Sequence, residues 1–195
     1  HSFELMLSAF IFGLAFGGLW IRGRIDRSAQ PRRLLGVVQI VMGLAALATL
    51  PLYGKTFELM QYAMLALART DNGYALFHAV GHGISLLVMF PAAFCAGMTL
   101  PLITYALLQR GYGEKSIGAV YAANTLGAIA GVVFAAHVGL PVLGLKTTVV
   151  LGAAIDVGLG LVLLGSVPVA GRTLAAAGAL AAAALTVVST VQLDA

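Results

Sequence analysis

From Ile117 to Leu140 the chain carries no formally charged side chain, His137 alone being titratable near neutrality. A helix over that stretch is long enough to cross a hydrocarbon core of roughly 30 Å. Hydrocarbon leaves the backbone little choice but helix, because no water is there to satisfy its N–H and C=O groups. Small residues recur at every fourth position: Ala119, Ala123, Gly127, Gly131, Ala135 and Gly139. Positions i and i+4 stack on one helix face, so the stretch carries a smooth groove. In lipid, helices associate by close backbone approach, and such grooves are where that approach happens. The same stretch holds Tyr121, Asn124 and Thr125, polar groups that lipid does not solvate and that need a protein partner. These features predict the central helix of a membrane bundle.

The rest of the chain fits the same class. Only 9% of its residues are charged and 61% are hydrophobic, against about 25% charged in soluble domains. The expected fold is all-α and integral to the membrane, a single domain of six transmembrane helices at approximately 3–21, 34–53, 75–108, 117–140, 147–165 and 172–191. Gly13 and Gly17, with Ala9, give the first span its own small-residue face. The third span is about 50 Å if wholly helical, and Pro91 and Pro101 predict kinks in it. Between the second and third spans, Phe57, Met60, Met64 and Leu67 recur at helical spacing, with Glu58, Gln61 and Arg69 at the margins. That pattern predicts an amphipathic helix over 56–69 in the outer interface. Asp71-Asn72-Gly73 predicts a turn after it.

Lys and Arg outnumber Asp and Glu by 11 to 7. The excess points to a membrane rather than to nucleic acid, because of where the bases fall. Five arginines lie in the twelve residues from Arg22 to Arg33. With Arg110, Lys115 and Arg172 they make eight bases on one side, against Lys55, Arg69 and Lys146 on the other. The positive-inside rule then puts the arginine loop in the cytoplasm and both chain ends outside. Cys95, alone in an apolar run, offers neither a disulfide nor a thiolate metal motif. The first apolar run is followed rather than preceded by its arginines, so it does not read as a signal peptide.

Two stretches carry a family resemblance. Gly23-Arg-Ile-Asp26-Arg27 with Arg32-Arg33 looks like the basic loop between the second and third helices of major-facilitator transporters. Gly118-Ala-Val-Tyr121-Ala-Ala-Asn124-Thr125-Leu-Gly127-Ala, with Leu140-Pro141-Val-Leu-Gly144-Leu, is similar to the membrane part of spermidine-synthase-like proteins. In that family transporter-like helices precede an aminopropyltransferase-like domain. The resemblance implies a major-facilitator-like bundle in a bacterial inner membrane, with at least one further helix before His1. No glycine-rich nucleotide loop followed by an acid occurs in the chain, so no catalytic activity and no cofactor are expected of it. The function that follows is a membrane scaffold or subunit, its partners being the lipid bilayer and neighbouring membrane subunits or a soluble domain.

Two other functions rest on particular residues. Asp156, in the middle of the fifth span between Gly152 and Gly160, either ties its helix to Tyr121, Asn124 or Thr125 or serves a proton or cation. With Asn124 it would suit a small-molecule or proton-coupled transporter. His78 and His82 are one turn apart, and His137 belongs to the same side of the membrane. Three imidazoles at one level would suit a metal- or haem-binding redox subunit, against a plainer reading as interfacial histidines.

Overall fold

The computed structural model describes residues 2–28, 30–66 and 71–165. The expected sixth span lies outside the described residues, as does the end of the expected interfacial helix. The described chain is helix joined by short turns, with no strand. Helix α1 is Ser2–Arg22, followed by a single 3₁₀ turn at Ile25–Arg27; α2 is Pro31–Ala66 and α3 is Asp71–Gln109. Helix α4 is Lys115–Phe134, a π-helical segment runs Ala135–Leu143, and α5 is Gly144–Gly165. Four stretches are long and apolar enough to cross a membrane: Phe3–Arg22, Pro31–Leu52, Leu76–Gln109 and Lys115–Gly165. The protein is an integral membrane protein built from helices.

The helix ends follow from local chemistry. Pro31 opens α2 where its missing N–H would have had no partner. Gly111, at φ 81°, closes α3. There the Tyr112 N–H donates to the Leu107 carbonyl and the Gly111 N–H to Leu108, the paired bonds of a glycine-terminated helix. The last candidate span is 51 residues long, about 75 Å if straight. Gly144, at φ 78° and ψ 167°, divides it into α4 with its π-helical extension and α5.

Packing sets the order α1, α3, α2, α5 across the molecule. Gly13 lies against Ala93, Gly17 against Phe94 and Gly18 against Gly97, so α1 and α3 run parallel. Gly36 meets Gly160 and Leu164, and Gly43 meets Ala153 and Val157, so α2 and α5 run antiparallel. That register gathers the arginine loop, the 110–114 loop and Gly165 at one end. Ile21, Ile25, Leu35, Val38, Cys95, Met98 and Leu102 form the core there. A smaller cluster of Leu47, Leu50 and Ala153 lies toward the opposite end. Outside the α1–α3 seam, Phe12, Phe16, Phe90, Phe94 and Trp20 form a ladder with ring centroids 5.6–6.3 Å apart. It ends with the Arg24 guanidinium 4.1 Å from the centroid of the Trp20 ring. An aromatic and a base stacked at a helix end suit a membrane interface.

Several sequence expectations change. The second span and the described part of the interfacial helix are one helix, α2, which continues through Pro51 and Gly54. Its apolar part ends at Leu52, and residues 53–66 extend beyond it. Asp71-Asn72-Gly73 is the first turn of α3 rather than a loop, since a turn-forming sequence also serves a helix start. The break expected between spans 117–140 and 147–165 falls at Gly144, while Pro141 lies inside the π-helical segment. Among the described residues α4 is not central: none of its residues is buried, and the packed centre belongs to α1, α2, α3 and α5.

Because α1 and α3 end together and α2 and α5 oppose them, side assignments are linked. Cysteines at Ser28 and Ser116 are expected to be shielded together from an impermeant maleimide in intact cells, while one at Val142 labels. Native Cys95 is buried and stays silent. Labelling of Ser28 and Ser116 from opposite sides would break the register.

Candidate functional site

Two features stand out against the packed centre: a chamber holding one carboxylate and an open helix face. The chamber is an open cleft rather than an enclosed cavity, with a volume of about 390 Å³. Phe10 comes from α1, Met42, Ala46 and Thr49 from α2, and Val88, Met89, Ala92, Ala93 and Ala96 from α3; Val149 and Asp156 come from α5. Met42, Ala46 and Thr49 share one face of α2, and Val149 and Asp156 lie two turns apart on α5. Alanines hold the chamber open because a methyl reaches less far than the side chains around it.

Asp156 is half-buried midway along α5. It faces α2 at Gly43, where an added Cβ would come within 3.3 Å of the Asp156 Cβ. No hydrogen bond or ion pair to Asp156 occurs among the described residues. A carboxylate at the centre of a span costs about 2.5–3.5 kcal/mol on insertion scales, and no packing bond here offsets that. The only other polar side chain on the chamber wall is Thr49, whose hydroxyl donates to the Ala46 carbonyl at 2.6 Å. One turn toward the arginine loop on the same face of α2, the Gln39 Oε1 is buried with no hydrogen-bond partner. The spacing Gln39, Met42, Ala46, Thr49 was a legible signal for this face.

The residues expected to partner Asp156 lie elsewhere. Tyr121, Asn124 and Thr125 are exposed on α4, and no α4 residue lines the chamber. The Thr125 hydroxyl donates to the Tyr121 carbonyl of its own helix at 2.9 Å. So α4 neither ties to Asp156 nor shares one site with it. Short hydroxyls close such bonds within a helix, which removes the need for a neighbour.

The histidines do not form a metal site: no three His, Cys, Asp or Glu side chains gather around a point among the described residues. His137 is exposed, its Nδ1 3.0 Å from the Val133 carbonyl one turn back. That bond fixes the ring on its own helix and leaves Nε2 outward, on the π-helical extension of α4 and away from the packed centre.

The small-residue face of α4 is open. Among the described residues, nothing lies within 4 Å of where a Cβ of Gly127 or Gly131 would stand, and Ala119 and Ala123 are exposed. Ala135 is half-buried, and Gly139 is buried, a Cβ added there coming within 2.9 Å of the Thr148 methyl of α5. By contrast, Gly13 and Gly17 are buried in the α1–α3 seam.

Comparison of the chain with protein-family models, characterised proteins and solved structures gave no match.

Proposed function

We propose that this protein is a non-catalytic membrane scaffold or subunit, as its resemblance to the membrane part of spermidine-synthase-like proteins implies. The face of α4 carries the proposal. Leu126 and Val132 on that helix are each 68% exposed, and no described residue enters the Gly127–Gly131 groove between them. Lipid would cover such a helix, but it would gain nothing from the groove. A second transmembrane helix would: small residues let two backbones approach and add van der Waals contacts along several turns. The partner is a transmembrane helix of a neighbouring subunit, with α1, α2, α3 and α5 forming the rigid body that presents α4.

Replacing Gly127 and Gly131 together by Leu tests the idea. Nothing among the described residues stands within 4 Å to clash, so the thermal midpoint of the isolated protein is expected to hold. Crosslinked assemblies in native membranes are expected to be lost, since two isobutyl groups push the backbones apart. Assemblies unchanged in the double variant would show that this face meets only lipid.

A further inference from the structure

The chamber contains a charge that no described residue answers. Asp156 has no Lys, Arg or His beside it on the chamber wall, and no hydrogen bond to it occurs among the described residues. It ties together none of the described helices, so their packing gives no reason for a carboxylate here. In a medium that solvates ions poorly, a carboxylate persists by taking up a proton or by holding a cation from outside.

The lining decides what kind of cation fits. A bare metal ion needs several oxygen ligands, and the wall offers one carboxylate and one hydroxyl. The space, about 390 Å³, falls in the range of about 300–1,000 Å³ that small organic ligands occupy. Away from Asp156 the wall is Phe10, Met42, Val88, Met89 and Val149 among alanines. Those surfaces favour an apolar body, and methionines adjust to its shape. A second ammonium group would meet only apolar side chains, which disfavours polyamines.

We propose that the chamber between α1, α2, α3 and α5 binds an amphipathic organic monocation, its apolar body against the chamber walls and its single ammonium group on Asp156. The site is separate from the α4 face and does not depend on the scaffold reading.

The test uses the full chain in phosphatidylcholine nanodiscs. Three probes are compared: 1-aminoadamantane, its neutral counterpart 1-adamantanol, and spermidine. The amine is expected to bind at least tenfold more tightly than the alcohol, and spermidine is expected not to displace it. Asp156→Asn, nearly isosteric, should abolish the tenfold preference and leave alcohol binding unchanged. Ala92→Phe, which fills the chamber from α3, should weaken both adamantanes; Val149→Phe fills it from α5 should the first variant not fold. Equal amine affinity in the wild type and Asp156→Asn would overturn the proposal. So would undiminished binding in a folded chamber-filling variant. So too would a phospholipid retained in native mass spectrometry that the amine fails to displace.

Discussion

Gly17→Ala is expected to destabilise the α1–α3 pair by about 3 kcal/mol, the upper end of what overpacking usually costs. A methyl at Gly17 would run into the Phe94 carbonyl, carbon and Cα. A flexible side chain could turn aside, but backbone in the middle of a helix cannot. Gly97→Ala should behave alike, since its Cβ would strike the Leu14 backbone across the same seam. The measurement is unfolding of the purified protein in mixed micelles, with Gly127→Ala as control. That control gains a better helix former with open space around it, so its midpoint should stay or rise slightly. A Gly17→Ala protein as stable as the wild type would mean that α1 and α3 do not touch through these glycines.

The second large effect is expected at Gly144. Its φ of 78° and ψ of 167° lie in a region that only glycine adopts readily, and forcing another residue there costs about 1–3 kcal/mol. No neighbouring atom stands within 4 Å of a Cβ at this position, so the penalty is one of backbone conformation alone. Gly144→Ala should therefore lower stability and shift α4 relative to α5. Spin labels at Ile129 and Leu159 would report the shift as a changed distance distribution. Gly152→Ala, also in open space but inside α5, supplies the contrast and should be neutral or mildly stabilising. Identical distance distributions in the wild type and Gly144→Ala would show that the break does not depend on glycine.

These two positions mark how much of the fold could be read in advance. Pro141 and Gly144 both stood between the expected fourth and fifth spans, with nothing local to say which would break the helix. Helix tolerated the proline by widening into a π-helical segment, and the backbone reversal fell to the residue with no Cβ. Gly54 and Pro51 show the same limit within α2, where neither residue ended the helix. Breaker residues raise the cost of helix by about 1–3 kcal/mol; whether the chain stops there depends on what else holds it.

The membrane class, the helical content and the grouping of bases at one end needed only the sequence. Hydropathy and charge are local sums, and a bilayer responds to them directly. Helix neighbours are a different matter. In water, an apolar stripe identifies the buried face; in lipid, the buried and exposed faces are equally apolar and the stripe disappears. Gly13 and Gly17 on α1 and Gly127 and Gly131 on α4 have the same i, i+4 spacing. One pair is buried against α3 and the other faces open space. Only tertiary structure could distinguish them, because the difference lies in the matching surface of α3: Ala93 and Gly97 accept one groove, and among the described residues no such surface stands opposite the other. Asp156 follows the same logic. Its depth in the span was legible from position along α5, but its setting in a chamber away from α4 was decided by Gly43 and the alanines of α3.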